Sequence, residues 1–143
     1  MAISWVMLFS DKASHAIIAV VVACLLPFVC AFLAKLVGGF DFKTDNQNPR
    51  EFLAKSTGLS ARLNASQANS FESLPMFIGA VIFAMYAFVP QNIVNAVAWL
   101  YVLLRVIYVM AYAMNLALFR SVIWALSLTC CLQLFYLSIK ALS

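Results

Sequence analysis

SLPMFIGAVIFAMYAFVPQNIVNAVAWLYVLL, residues 73–104, contains no Asp, Glu, Lys or Arg. A membrane-spanning helix needs roughly 20 mostly apolar residues, so this run is long enough for one span and most of another. PQN at residues 90–92 supplies the turn between the two. Outward from this stretch, residues 106–119 continue it after Arg105. Residues 121–139 form the last uncharged run, and residues 13–34 form the first. Four spans are predicted, at about 14–36, 70–89, 93–115 and 120–139, and residues 115–120 turn the third into the fourth. The runs are too long, and alternate too little, for the strands of a membrane barrel. The expected fold is all-α: a polytopic membrane four-helix bundle, in a single domain over residues 1–143.

Composition agrees. Hydrophobic residues make up 66% of the chain and charged residues 10%. A soluble domain carries about 25% charged residues, so this chain lacks the material for a polar outer surface. The first run exceeds a typical signal h-region, and Asp11 and Lys12 do not form a strongly basic leader. It is therefore read as a span. Cys24, Cys30, Cys130 and Cys131 fall inside predicted spans. They show neither a disulfide framework nor metal-ligand spacing and read as small packing residues, so no metal is expected.

Residues 37–68 form the one substantial polar segment, with Lys43, Arg50, Lys55 and Arg62, and Lys35 just before it. Arg120 follows the third span, whereas the other side receives only Lys12 and Lys140. The positive-inside bias predicts that 37–68 is a cytoplasmic loop and that both termini are periplasmic. The formal charge of +4 does not indicate nucleic-acid binding, because no dense basic cluster or aromatic RNA-binding signature accompanies it. Attraction to anionic headgroups is the plainer reading.

The polar residues within the spans carry the functional signal. Asn69 and Glu72 are three apart on one helical face, and Pro75 lies three further on. If the second helix begins before Asn69, Pro75 removes an internal hydrogen bond and can open a pocket near Glu72. If it begins near Ser73, Glu72 is a carboxylate at a helix start, favoured by the dipole. In the third span, Arg105, Tyr108 and Tyr112 share a face. An unpaired charge in hydrocarbon costs about 2.5–3.5 kcal/mol on one scale. Glu72 is the one acidic residue in a predicted span, so an Arg105–Glu72 pair is the economical expectation, with Arg105 the deeper of the two. Tyr108 and Tyr112 can pack between helices or offer their hydroxyls to a ligand. Arg120 and Ser121 open the fourth span. With Asn69, Glu72 and Arg105 they outline a cytoplasm-facing polar cavity suited to an anionic molecule that carries its own amine or amide groups. His15, the single histidine, lies near the opposite end, and no glycine-rich phosphate loop is present.

NQNPREFLAKSTGLSAR (residues 46–62), ASQANSFESLPMF (65–77), RVIYVMAY (105–112) and RSVIWAL (120–126) occur in that order along four predicted spans. Together they resemble the MAPEG family, the membrane-associated proteins in eicosanoid and glutathione metabolism, and in wording most resemble its bacterial branch. The resemblance covers nearly the whole chain. It implies a homotrimer of four-helix subunits in a bacterial inner membrane. It also implies a glutathione cosubstrate bound between subunits, whose thiol meets a small hydrophobic substrate arriving from membrane lipid. Such chemistry needs a thiolate, which nearby positive charge or a hydroxyl donor stabilises. By this resemblance Asn69, Glu72, Arg105, Tyr112 and Arg120 match glutathione-contacting positions, and Tyr108 matches a neighbouring pocket position. Ser121 matches the serine proposed to assist the thiol, and Arg120 shares that catalytic role.

The chain departs from the family pattern in places. Ala68, Gln67 and Ala65 stand where basic or imidazole side chains are common, and Asn115 stands where a basic residue often helps hold the ligand. The expected function is a glutathione-dependent membrane transferase acting on small hydrophobic electrophiles, with peroxide reduction as an associated activity. The alternative is a noncatalytic membrane protein that binds a lipid or polar metabolite.

Overall fold

The computed structural model describes residues 11–143. The periplasmic assignment of the N-terminus falls partly on residues 1–10, which lie outside the described residues. Five α-helices follow in order: α1 Ser14–Gly38, α2 Pro49–Lys55, α3 Gly58–Tyr86, α4 Gln91–Ala113 and α5 Ala117–Leu142. A single 3-10 turn, Asp45–Gln47, precedes α2. Among the described residues there is no strand. Helices α1, α3, α4 and α5 are each long and apolar enough to cross a membrane, which makes this a multi-pass membrane protein.

The largest difference from expectation is α3. It begins at Gly58, well inside the segment read as a loop, and runs unbroken past Asn69. Residues 58–68 include Arg62, Asn64, Ser66 and Gln67, so they carry no hydropathy signal even though they are helical. Glu72 is consequently a mid-helix residue, and the reading of it as a helix-start carboxylate is excluded. Pro75 lies inside the helix, where its missing N–H leaves the Phe71 carbonyl without its i+4 donor.

Three of the long helices end in the same way, with a left-handed residue and a six-residue backbone closure. Gly39 (φ 73°) ends α1, and Phe40 N donates to the Lys35 carbonyl at 3.0 Å. Phe88 (φ 57°) follows α3, and Val89 N donates to Ala84 at 3.0 Å. Asn115 (φ 59°) follows α4, and Leu116 N donates to Ala111 at 2.9 Å. The closures after α3 and α4 lead straight into the next long helix, whereas the 3-10 turn and α2 intervene after α1.

The α1–α3 contact is the most extensive in the bundle. The buried residues of α1 are Ala16, Ala19, Ala23, Pro27, Cys30 and Ala34, a stripe of mostly small side chains. Ser60, Ser66 and Ser70 of α3 are also buried, and Ser60 Oγ donates across the interface to the Ala34 carbonyl at 2.7 Å. Lipid gives helices no hydrophobic reason to associate, so close approach through small side chains supplies the packing energy instead. The opposite face of α1, with Ile17, Val21, Leu25, Phe28 and Phe32, is exposed on the subunit.

Candidate functional site

Helices α3 and α4 run antiparallel, and three contacts fix their register. Arg62 Nε donates to the Ala113 carbonyl at 3.1 Å, a cation set against the C-terminal end of α4. One level deeper, Arg105 Nη2 donates to Asn69 Oδ1 at 3.0 Å and to Ser70 Oγ at 3.1 Å. Deeper again, Tyr101 Oη donates to Ser73 Oγ at 2.9 Å. Ser70 and Ser73 on α3 thus face Arg105 and Tyr101 on α4, at helical spacings of three and four.

This register corrects the expected Arg105–Glu72 pair. Among the described residues no ion pair involves either side chain. Asn69 and Ser70 stand level with Arg105, whereas Glu72 is two to three residues further along α3, about 3–4.5 Å of helical rise. Glu72 is therefore the deeper residue, the reverse of expectation, and its side chain is exposed on the subunit. Arg105 is held by neutral oxygens in its place. It is 2% exposed, and its Nε and Nη1 are buried with no hydrogen-bond partner. A buried guanidinium with three free N–H bonds, one on Nε and two on Nη1, is costly unless an acceptor meets them.

From Arg105 a ladder of rings and cations runs toward α5. The guanidinium carbon lies 4.3 Å from the Tyr108 ring centroid. Tyr108 meets Tyr112 edge to face at 5.5 Å. Arg120 of α5 lies 4.2 Å over the Tyr112 ring. The shared face of Arg105, Tyr108 and Tyr112 is thus present, and Arg120 closes it. Ser121 is exposed, and its hydroxyl donates to the Ala117 carbonyl at 3.1 Å. The ladder presents two cations joined by aromatic faces, and its anion-binding capacity lies in the two guanidinium groups.

Asn69 and Glu72 also line a separate cavity of about 350 Å3 between α3, α4 and α5. Its other walls are Ser73, Met76, Tyr101, Trp124, Ser127, Leu128 and Cys131. Tyr101 is fixed there by stacking on Phe77, with ring centroids 3.8 Å apart. The site residues named from sequence therefore divide. Arg105, Tyr108, Tyr112 and Arg120 form the ladder, Glu72 belongs to the cavity, and Asn69 touches both. Ser70, Ser73 and Tyr101 were missed. Their signal was the three- and four-residue spacing of serines on α3 opposite Tyr101 and Arg105, legible only once the register is known. A larger cavity, about 730 Å3, lies where α1, the 3-10 turn, α2 and the start of α3 meet, and holds none of the predicted site residues.

The comparisons with known proteins fall on this geometry. The model of the MAPEG family matches residues 15–140, from the first turn of α1 to the last of α5. No curated protein and no solved structure matches the chain. The match covers all four long helices and the whole of the ladder and cavity, and the chain belongs to the MAPEG family.

Proposed function

We propose that the protein is a glutathione-dependent membrane transferase acting on small hydrophobic electrophiles. The observation that carries this reading is the Arg105–Tyr108–Tyr112–Arg120 ladder, with two unpartnered nitrogens, Nε and Nη1, on buried Arg105. Glutathione carries two carboxylates, one ammonium and a thiol. In this reading Arg105, Arg120 and Asn69 organise it, Glu72 receives an N–H group, and Tyr112 hydrogen-bonds to the bound molecule. Positive charge from Arg120 and a hydroxyl from Ser121 favour the thiolate over the thiol. The thiolate sulfur then forms a bond to the electrophile's carbon, and the leaving group departs with the electron pair. Peroxide reduction would proceed at the same thiolate, with a second glutathione closing the disulfide and the peroxide leaving as alcohol and water. The assembly is a homotrimer in a bacterial inner membrane, with the 39–57 segment cytoplasmic and both termini periplasmic. Lipid supplies the route for the hydrophobic substrate.

One observation favours the noncatalytic alternative. The Ser121 hydroxyl hydrogen is engaged by the Ala117 carbonyl, so it must rotate away before it can serve a thiolate. Turnover separates the two readings. Purified protein in lipid nanodiscs should bind glutathione saturably and conjugate it to an activated aryl halide. Arg105→Ala should weaken binding at least about tenfold, the scale of losing hydrogen bonds to a charged group. Arg120→Ala should lower turnover more than binding. Saturable binding without turnover for any electrophile supports the alternative, and no binding by folded protein removes the glutathione reading.

A further inference from the structure

Each hydroxyl on the wall of the α3–α4–α5 cavity has its hydrogen committed to another protein atom. Ser73 Oγ donates to the Ser70 carbonyl at 3.0 Å. With that hydrogen spent, Tyr101 is necessarily the donor in its 2.9 Å bond to Ser73 Oγ. Ser127 Oγ donates to the Trp124 carbonyl at 2.8 Å. These oxygens have only lone pairs left to offer a ligand. Glu72 adds a carboxylate that no described residue pairs with. Asn69 Oδ1 already accepts from Arg105 Nη2, and Arg105 itself does not line the cavity. The Asn69 amide nitrogen and the Trp124 indole Nε1–H are the strong neutral donors on the wall. The rest of the wall is Met76, Leu128, Cys131 and the remainder of the Trp124 side chain.

We propose that this cavity binds a small amphiphilic ammonium, a protonated primary amine on a short apolar body. An ammonium has three donors and no acceptor, which matches a wall where acceptors outnumber donors and one group is negatively charged. The rings of Tyr101 and Trp124 attract the same cation through their faces. Met76 and Leu128 meet the apolar body. The volume, about 350 Å3, is at the small end of ligand pockets and limits that body to about a single ring or a short chain. Met76 and Trp124 are 41% and 43% exposed on the subunit, so the cavity opens at its side. Tyr108, Tyr112 and Arg120 are not on its wall, but Asn69 and Glu72 are, so the ammonium would compete for these two residues with the proposed glutathione and is tested without it.

The test is equilibrium dialysis of labelled phenethylammonium against the full chain in phosphatidylcholine nanodiscs, with empty nanodiscs subtracted and no glutathione present. Saturable binding is expected, at least tenfold tighter than that of 2-phenylethanol, which has the same body without the charge. Glu72→Gln and the cavity-filling Leu128→Trp should each weaken it at least tenfold, whereas Tyr112→Phe should leave it within twofold. No saturable excess over empty nanodiscs, equal binding of the alcohol, or undiminished binding by Glu72→Gln would overturn the proposal. Should Leu128→Trp fail to fold, the amine–alcohol comparison on the wild type and Glu72→Gln still decide it.

Discussion

At the scale of single residues, Arg105 and Asn115 show how a side chain's role depends on its level in the bundle. Arg105 is retained in the interior by Asn69 and Ser70, and the Ser70 hydroxyl hydrogen goes to the Ser66 carbonyl at 2.8 Å. Ser70 can therefore face Arg105 only as an acceptor. Ser70→Ala should cost about 1–3 kcal/mol of bundle stability, the range for leaving a buried donor short of a partner. Ser70→Thr, which keeps the oxygen, should recover most of it. Unfolding in detergent micelles measures both, and equal stability of Ser70→Ala and wild type would remove Ser70 as a support of Arg105. Asn115 follows α4 with a left-handed backbone. Asn tolerates that conformation better than Lys or Arg does. Asn115→Arg should therefore lower stability by about 1 kcal/mol, while Asn115→Gly should not. Arg105 was legible in the sequence because it interrupts an uncharged run. Its partners were not, because charge logic selects the one carboxylate, whereas register selects Asn69 and Ser70.

At the scale of elements, the four long helices were legible from hydropathy, but the start of α3 was not. Lipid imposes an apolar composition only on residues it contacts, and the first turns of α3 are polar ones such as Arg62 and Asn64. That missing part of α3 is what sets the level of Asn69, Glu72 and Arg62 against α4. The small-residue stripe of α1 governs the other long contact. Ala23→Leu would add bulk at a position 4% exposed on the buried stripe of α1, and should cost about 1–3 kcal/mol through overpacking. Val21→Leu, on the exposed face, should change stability by less than about 0.5 kcal/mol. Thermal unfolding of the two variants side by side checks this, and equal effects would mean that the α1–α3 contact is not tightly packed. Gly38 is a second sensitive point, because a Cβ there would lie 2.8 Å from Ser60 Oγ and 3.1 Å from the Phe52 ring.

At the scale of the whole molecule, the contacts decide which residues share an end of the bundle. Arg62 against the end of α4 brings the segment between α1 and α3 to the same end as the α4–α5 turn. Asn95 Nδ2, which donates to the Lys12 carbonyl at 3.1 Å, ties the start of α1 to the other end. Lys35, Lys43, Arg50, Lys55, Arg62 and Arg120 thus gather at one end, and Lys12 and Lys140 at the other. Basic residues near span ends resist translocation, so the richer end should be retained in the cytoplasm. The native cysteines are buried or half-buried, so an introduced surface cysteine dominates labelling by an impermeant maleimide. In intact cells with a permeable outer membrane, a cysteine at Gln91 should label and one at Lys43 should not until the inner membrane is opened. The reverse pattern would invert the orientation, placing the ladder's Arg120 end outside and away from the cell's reduced thiols. That outcome would count against a cytosolic thiol as cosubstrate while leaving the geometry of the ladder itself intact.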